Sequence, residues 1–276
     1  MLLENLAPAP DLAPFVKQYR IADFTFQAGQ AIPFKAYPPR AEECLQFYPK
    51  DAEQVEYPRG GHQCPQTNVS LIGQHTMVTN RHIGQNFLTL QVVFQPGALF
   101  LLTGIPAAEL ANHYLDAKAV LGGEVARVNE QLFYAASYQD MVMVMEAYLR
   151  QLLRRARGES HPITRVARLM QQYPNRYSLE WLARESCLCY RQFDRKFKQH
   201  MGIGPKQYSR IIRFDQAFRL KNQAPQQDWL SIALLCGYHD YQHLVKDYRL
   251  FTGCTPAAFY QIEAQAPERA FGDREV

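Results

Sequence analysis

The chain has 276 residues, of which 47% are hydrophobic and 20% are charged, and its formal net charge is +4. This length is sufficient for two domains that each bury a core of their own. The most apolar stretch, residues 88–111, is interrupted by Gln91, Gln95, Pro96 and Gly97, which excludes a membrane span there.

The positive charge is concentrated in the second half of the chain. Residues 159–263 carry 15 Lys and Arg against 9 Asp and Glu, a balance of +6, whereas residues 1–158 carry 13 against 14, a balance of −1. A basic region of this kind suits a protein that binds a polyanion such as DNA. The N-terminal half has no such electrostatic footprint.

The first residues of the chain are Met-Leu-Leu-Glu-Asn, which lack the basic and apolar regions of an export signal. The six cysteines are therefore expected to be reduced thiols. The sequence predicts a cytoplasmic protein with no membrane association.

Residues 1–110 predict a β-rich domain, because short strand-forming runs alternate with clusters of Pro and Gly. In residues 87–94 every second side chain is large and apolar, as in a strand with one buried face. Residues 11–19 are predicted to form a short helix on the outside. The sequence thus predicts a small β-sandwich or barrel. The predicted strands are residues 20–26, 43–48, 68–72 and 87–94.

Residues 37–48 place aromatic and polar side chains near one another, as the walls of small-molecule pockets do. One interpretation is that they bind an effector. The other is that they pack the core and pair across strands, and the sequence leaves both open. The candidate effector-binding residues are Tyr37, Arg40, Gln46 and Phe47.

Residues 111–153 predict helices. An apolar stripe of Met141, Met145, Tyr148 and Leu152 recurs at helical spacing and requires a partner surface. The stripe indicates either the seam of a homodimer or a face that covers the β domain.

Residues 154–162 are predicted to be a polar linker containing Gly and Pro, whose arginines could also contact DNA phosphates. Residues 263–276 are predicted to be a flexible tail. The domain between them, residues 163–262, contains a unit that occurs twice.

Five positions of this unit, between residues 188 and 205, recur 51 residues later. Each copy predicts a short helix, a tight turn and a second helix, in which large apolar side chains recur at helical spacing. Gly237 suits the end of a helix and Asp240 suits the N-cap of the next one. A shared helical unit has therefore been used twice.

The outward face of each second helix carries cationic and amide side chains, which match base edges and phosphates in a major groove. One such stripe is often only a solvated surface, but the same stripe twice in register predicts a doubled helix-turn-helix. The stripe consists of Arg191, Arg195 and Lys198 in the first copy and of Gln242, Lys246 and Arg249 in the second.

The repeated unit also has a specific set of spaced residues. They are Phe193, Phe197, Gly202, Pro205 and Tyr208, followed by Ile232, Ala233, Cys236, Gly237, Tyr238, Asp240, Tyr248, Gly253, Thr255, Pro256 and Phe259. This pattern resembles the AraC/XylS-type transcriptional regulators and extends over residues 160–262. Residues 1–110 resemble, more weakly, the cupin-like N-terminal domain of some of these regulators, chiefly in residues 94–104.

The resemblance implies an α+β protein with a cupin-like β-sandwich domain, additional helices and an all-α DNA-binding domain. In that domain a linker helix, here Pro205 to about Leu220, would join two helix-turn-helix subdomains. A helix of this length spans about 25 Å. Two recognition helices could then enter successive major grooves about 34 Å apart.

The resemblance also assigns DNA-contacting positions, and three residues in or beside these two helices depart from the usual pattern. Cys189 replaces a Ser or Thr N-cap, which weakens that helix start by about 1 kcal/mol. Asp194 repels phosphate unless it accepts a hydrogen bond from a cytosine amino group or holds a neighbouring arginine in place. Val245 offers only apolar contact, as to a thymine methyl group, so the first unit is expected to carry most of the direct readout. The predicted DNA-binding residues are Arg191, Asp194, Arg195 and Lys198, then Tyr241, Gln242, Val245, Lys246 and Arg249.

No constellation of catalytic or cofactor-binding residues is evident. The histidines of the N-terminal half form no His-x-His pair, and a zinc site of His62, Cys64 and His75 would have unusually loose spacing. Cys187 and Cys189 are expected to be small apolar filling in a turn. We therefore expect no enzyme activity, no metal and no cofactor.

The sequence predicts a DNA-binding transcriptional regulator controlled by a small-molecule effector or by dimerisation of its N-terminal half. The partners expected are double-stranded DNA, an effector, a second copy of the chain and RNA polymerase. The alternative is a helical protein-interaction module whose DNA binding is incidental. An enzyme fused to a DNA-binding domain ranks third.

Overall fold

A computed structural model describes residues 2–59, 62–64, 66–156 and 161–272 of the chain. The N-terminal half contains two antiparallel sheets, one with the strand order β1-β2-β9-β4-β7-β10 and a smaller one with the order β3-β8-β5-β6. The strands are β1 Leu2–Leu6, β2 Val16–Thr25, β3 Lys35–Tyr37, β4 Cys44–Phe47, β5 Gln54–Tyr57, β6 His62–Gln63, β7 Val69–Ile72, β8 Thr79–His82, β9 Asn86–Phe94 and β10 Tyr114–Asp116.

Strand β9 shows how the larger sheet separates two environments. Leu88, Leu90 and Val92 point to a core shared with the helices that follow the sheet, as their alternation predicts. Thr89 and Gln91 point to the opposite face, where a cavity lies between the two sheets. The larger sheet therefore packs on helices with one face and on the smaller sheet with the other.

The helices of the N-terminal half are α1 Ala98–Thr103, α2 Ala107–Leu110, α3 Ala117–Leu121, α4 Glu124–Phe133 and α5 Tyr138–Arg155. The apolar stripe of α5, Met141, Met145, Tyr148 and Leu152, is buried in the core shared with the larger sheet. The stripe covers the β domain, and these side chains cannot form a dimer seam while they are buried there. Of the two interpretations of this stripe, the dimer seam is the wrong one.

The N-terminal half differs from expectation in two further places. Residues 11–19 do not form a helix: turns lead into strand β2, which begins at Val16. Apolar spacing alone misled the prediction, since Val16, Tyr19 and Ile21 are buried on strand β2. Strand β10 lies within the stretch predicted as helical and pairs with β7 at the edge of the larger sheet.

The C-terminal half is helical and contains α6 Pro162–Gln172, α7 Leu179–Glu185, α8 Tyr190–Met201, α9 Pro205–Gln223, α10 Trp229–Leu235, α11 Tyr241–Thr252 and α12 Pro256–Glu263. The repeat is visible in the bounds, since α7 and α10 are 50 residues apart while α8 and α11 are 51 apart. Gly202 and Gly253 end α8 and α11 in the left-handed conformation. None of the helices in the described ranges is long and apolar enough to cross a membrane.

Residues 154–162 were predicted to be a polar linker and residues 263–276 a flexible tail. Arg154 and Arg155 belong to the last turn of α5, and Arg155 pairs with Glu124 at 2.9 Å. Arg157 lies outside the described residues. The tail prediction is wrong up to residue 272, because a 3-10 helix, Pro267–Phe271, packs on the N-terminal sheets.

The left-handed residue of the helix-turn-helix turn suggests a stability test. Cys187 in the first unit has φ 55°, and its counterpart Gly237 in the second has φ 74°. A side chain costs about 1–2 kcal/mol in this conformation, and glycine loses about 0.5–1 kcal/mol through backbone entropy. Thermal unfolding should therefore show that Cys187→Gly stabilises the protein by about 0.5–1 kcal/mol.

The reverse change at the matched position is the control for this test. Gly237→Ala should destabilise the protein by more than the gain at Cys187, because the new Cβ would also lie 2.9 Å from Asn175 Nδ2. If both changes have the same sign, the turn conformation does not determine the effect.

Cys187 and Cys189 are exposed. The prediction that they are small apolar filling in a turn is therefore wrong.

Candidate nucleic-acid interface

Helix α8 begins without the side-chain cap that is common at this position. No oxygen is available on Cys189, as the sequence predicts, and its backbone N–H donates instead to Oε1 of Gln192 at 3.3 Å. This bond satisfies one backbone donor from the helix side. Helix α11 has the stronger start, since Asp240 Oδ1 accepts from His243 N at 2.8 Å.

The structure places most of the predicted DNA-binding side chains on open surface at the two second helices. No other part of the described chain covers the outward faces of these two helices, which leaves them accessible to a groove. The exposed residues are Arg191, Asp194, Arg195 and Lys198 on α8 and Gln242, Lys246 and Arg249 on α11, while Tyr241 is half-buried.

Two of the predicted positions fit a DNA contact less well. Val245 is only 8% exposed and belongs to the packed side of α11, so little of it is left for a thymine methyl group. Asp194 forms no ion pair with Arg191 or Arg195 in the described part of the chain. It therefore does not hold either arginine in place.

A buried carboxylate that sequence reasoning did not identify anchors α11 to the linker helix α9. Asp247 is 3% exposed and accepts hydrogen bonds from Arg210 Nη2 at 2.6 Å, from Arg213 Nη2 at 3.2 Å and from the Tyr238 hydroxyl at 3.1 Å. Arg213 also lies over the Tyr238 ring at 4.0 Å. These contacts fix the rotation of α11 about its axis and hence the direction of its outward side chains.

One sequence signal could have revealed this anchor. Asp247 lies three residues after Leu244 and immediately before Tyr248, at the edge of the buried stripe of α11. An acidic residue there needs a cationic partner, because a buried unpaired carboxylate is costly. The partners are 34 and 37 residues away, so the sequence does not identify them.

The C-terminal ends of both second helices contact the N-terminal half. The guanidinium of Arg59 donates to the backbone carbonyls of Arg249 and Leu250 at the end of α11. A cation is favourable at a helix C-terminus, where carbonyl groups lack partners. Val78 N donates to Phe251 O at 2.8 Å, and α2 packs on α8.

A second contact surrounds His200 near the end of α8. Its ring lies 4.4 Å from the ring of Phe100 and 4.7 Å from that of His161. Burial lowers the pKa of His200 to about 4 and also lowers the pKa of His161. Both imidazoles are therefore neutral near pH 7, which lets the two rings pack together.

The N-terminal half contains a cavity of about 90 Å³ between the two sheets. Tyr37 and Gln46, two of the four predicted effector-binding residues, line it. Arg40 lies beside it, 3.5 Å from Asp215 of α9. Phe47 points to the opposite face of its strand and packs on Tyr148, so its assignment as an effector contact is wrong.

The wall of the cavity formed by the larger sheet carries a row of hydrogen-bonded polar groups. Gln46 Nε2 donates to Thr89 Oγ1 at 3.1 Å, and Gln91 Nε2 donates to Gln46 Oε1 at 2.9 Å. Arg20 donates to Gln91 Oε1 and, at 3.0 Å, to the hydroxyl of Tyr37. The row gives the cavity a polar and cationic part, and Leu3, Ala22, Phe24 and Phe87 of the same sheet give it an apolar part.

Within the described ranges, no three His, Cys, Asp or Glu side chains come together as a metal site requires. His75, which the sequence disfavours as a zinc ligand, forms a hydrogen bond of 2.8 Å between its Nε2 and the hydroxyl of Tyr57, and burial lowers the pKa of His75 to about 4.

Two family comparisons match separate parts of the chain. Residues 182–261 match the family described as a helix-turn-helix domain, and residues 4–116 match a family described as a domain of unknown function (DUF6597). The first match covers α8 to α11 and their connections, where the exposed basic residues lie.

Curated relatives match over the C-terminal region. The HTH-type transcriptional regulator ArgR of Pseudomonas aeruginosa is 32% identical over 101 residues, which are 36% of this chain and 30% of ArgR. An uncharacterized HTH-type transcriptional regulator of Haemophilus influenzae is 30% identical over 96 residues, 35% of this chain and 32% of the relative. The chain thus spans about a third of the length of these relatives.

Among solved structures, ToxT from Vibrio cholerae aligns with a TM-score of 0.49 and 8% sequence identity, over 88% of this chain and 98% of ToxT.

Proposed function

The C-terminal half of this chain matches a helix-turn-helix domain over residues 182–261, and from this premise we propose that the protein is an AraC-type transcriptional regulator that binds specific DNA sequences. The observation that carries the proposal is the pair of second helices, α8 and α11, with exposed cationic and amide side chains at equivalent positions of a repeat. The balance of +6 over residues 159–263 supports the same polyanionic partner.

The length of the linker helix α9 supports simultaneous binding of both helix-turn-helix units to DNA. Helix α9 has 19 residues, which corresponds to about 28 Å of helix. This length is compatible with two recognition helices in successive major grooves about 34 Å apart. The bonds from Arg210 and Arg213 to Asp247 hold the second unit on this helix.

Substitution of Arg195 tests base reading, and substitution of Lys198 tests phosphate binding. Arg195→Ala should cost about 1–3 kcal/mol on the cognate site and relax specificity at one base position. Lys198→Ala should weaken binding to all sequences alike and reduce the salt slope by about one. Titration of cognate and single-base-variant duplexes at several salt concentrations measures both effects.

An exposed lysine on a helix of the N-terminal half provides the control. Lys118→Ala on α3 removes the same charge in the N-terminal half and should leave the specificity unchanged. Equal losses on every sequence from Arg195→Ala and Lys198→Ala would contradict the assignment of Arg195 to base reading.

The decisive experiment for the function is selection of random duplex DNA on the purified full-length protein. Enrichment of two short segments about one helical turn apart, with a steep salt slope, is the expected result. Two copies of that motif would indicate a dimer. If no sequence is enriched above scrambled DNA, the proposal that the protein binds specific DNA sequences without an effector is contradicted.

We further propose that the cavity between the sheets is the effector site and that Tyr37 and Gln46 contact the effector. An effector can change DNA affinity only if it binds one arrangement of the protein better than another. The contacts of Arg59 and Val78 with the end of α11 offer a route for this coupling. A cytoplasmic location, a homodimer and contact with RNA polymerase are parts of the same proposal.

A specific surface favours the second candidate function, a helical module that binds a protein. Leu230, Leu234 and Leu235 on α10 are between 51% and 64% exposed. The equivalent positions of the first unit, 50 residues earlier, are the charged residues Glu180, Arg184 and Glu185. An apolar patch in only one copy suits a protein contact, and failed DNA selection would favour this alternative.

A further inference from the structure

The C-terminal segment lies across the cavity between the two sheets. Pro267 and Glu268 of the 3-10 helix form part of the cavity lining. Phe271 stacks on Phe24 with the rings 5.8 Å apart and 6° from parallel, and its ring lies 5.2 Å from that of Phe26. A segment that belongs to the DNA-binding half of the chain is thus in contact with the inside of the N-terminal domain.

A charged contact holds this segment in place. The ammonium group of Lys35 on β3 binds Oε1 of Glu263, at the end of α12, at 2.5 Å and also binds the carboxylate of Glu268. All three side chains are at most 10% exposed. A single lysine of the smaller sheet therefore meets two carboxylates of the C-terminal region in a site with little access to water.

The charge of the cavity depends on whether the C-terminal segment is present. With Glu268 in place, the lining contains the cations Arg20, Lys35 and Arg81 and the carboxylates Glu53 and Glu268. Arg20 also pairs with Glu42, and Arg81 lies 3.8 Å from Glu53. Without the segment, Lys35 would keep Glu263 but lose the second of its two carboxylates, and an anionic group is the natural replacement for Glu268 at that position.

Beside the polar row of Gln46, Thr89 and Gln91, the cavity has an apolar lining. It consists of Leu3, Ala22, Phe24, Ile83 and Phe87. The present volume of about 90 Å³ is well below the roughly 300–1,000 Å³ of typical ligand pockets. The segment therefore fills space that a ligand would need.

We propose that the cavity binds an organic acid with one anionic group and an aromatic or aliphatic body, and that residues 267–272 compete for the same site within the chain. The anionic group takes the place of Glu268 beside Lys35, and the apolar body takes the place of Pro267 and Phe271 against the sheets. This inference rests on the proposed effector function of the cavity and adds the ligand class and the competing segment.

Displacement of the segment would change contacts of the DNA-binding domain through helix α12. Glu263, the second carboxylate on Lys35, is the last residue of that helix. Phe259 of α12 packs against Tyr248 of α11 at 6.2 Å. Ligand binding thus alters contacts one helix away from the second recognition helix, as coupling between two sites requires.

The test uses two fluorescent probes that share an aromatic body. Anilinonaphthalene sulfonate is anionic, and phenylnaphthylamine is its uncharged counterpart. In the full-length protein, Glu268→Gln removes the competing charge while it keeps the shape of the side chain. It should tighten binding of the anionic probe about tenfold and leave binding of the neutral probe within about twofold.

Two further variants separate the parts of the proposal. Removal of residues 267–276 should tighten binding of both probes, because the apolar space opens together with the charge. Adding Lys35→Gln to Glu268→Gln should abolish the preference for the anionic probe. Glu180→Gln, an exposed change on α7, should have no effect on either probe.

The proposal is overturned if Glu268→Gln leaves the affinity for the anionic probe unchanged or if it tightens both probes equally. Should the shortened chain fail to fold, the Glu268→Gln results alone decide. The probe measurements contain no DNA, so DNA selection can fail while they succeed, and the reverse. The two proposals are therefore tested independently.

Discussion

Asp247→Asn is expected to lower the free energy of unfolding by about 2–3 kcal/mol and to weaken the contribution of the second unit to DNA binding. The carboxylate is 3% exposed and binds Arg210, Arg213 and Tyr238. The amide cannot satisfy all these donors and leaves two arginines without a counter-charge. Because these arginine side chains are 36% and 25% exposed, water reduces the loss below that of a fully buried pair.

Chemical denaturation monitored by circular dichroism measures this change. Asp194→Asn is the matched control, because it makes the same chemical change at an exposed position of the equivalent helix α8. It should alter stability by at most about 0.5 kcal/mol. A loss of that small size for Asp247→Asn would mean that the network does not hold α11 on α9.

Glu43→Gln is expected to stabilise the protein at neutral pH and to have no effect at low pH. Glu43 is buried, and its Oε1 has no hydrogen-bond partner among the described residues. Burial raises the pKa of this carboxyl from 4.5 to about 8. The folded protein therefore keeps the proton over a pH range in which the unfolded chain has lost it.

The sign of the pH dependence follows from this difference. Below about pH 4.5 Glu43 is protonated in both the folded and the unfolded state and does not change the free energy of unfolding. As the pH rises from there to about 8, the free energy of unfolding falls, because the unfolded chain releases a proton that the folded state keeps. At pH 7 the cost is about 3 kcal/mol, and glutamine removes it. Unfolding experiments between pH 4 and 8 should show the two proteins diverging toward high pH.

The adjacent carboxylate provides a control of opposite sign. Burial by itself would raise the pKa of Glu42, but the guanidinium groups of Arg20 and Arg40 hold it well below its usual range. Glu42 thus contributes stability above the pKa of the unfolded chain, and this contribution disappears as the pH falls through its folded pKa. Glu42→Gln should destabilise the protein at pH 7, and equal signs for the two variants would contradict the assigned environments.

The helical domain was predictable because its signals are local. Apolar spacing along α8 and α11, the cap at Asp240 and the glycines at their ends all act within a few residues of chain. The repeat added a second instance of each signal, which a single helix would not have offered. The exposed positions of Arg191, Arg195 and Lys198 follow from the same periodicity.

The β domain was predictable only in part. Strand β9 has nine residues and a clear alternation, whereas β3 and β6 have three and two residues, too few for a pattern to emerge. The alternation of residues on β4 distinguishes Gln46, which faces the cavity, from Phe47, which faces the helices. The sequence could suggest a pocket near both residues but could not assign the face of each.

The amino-acid sequence alone determined that this chain has a doubled helix-turn-helix with a basic outer face, because helix periodicity, capping and charge are properties of neighbouring residues. Only the tertiary structure decided that α5 covers the larger sheet, that Asp247 is held by α9 and that Glu268 meets Lys35 across 233 residues of sequence. These contacts join residues far apart in the chain. Their partners are chosen by the packing of whole elements, which no local pattern encodes.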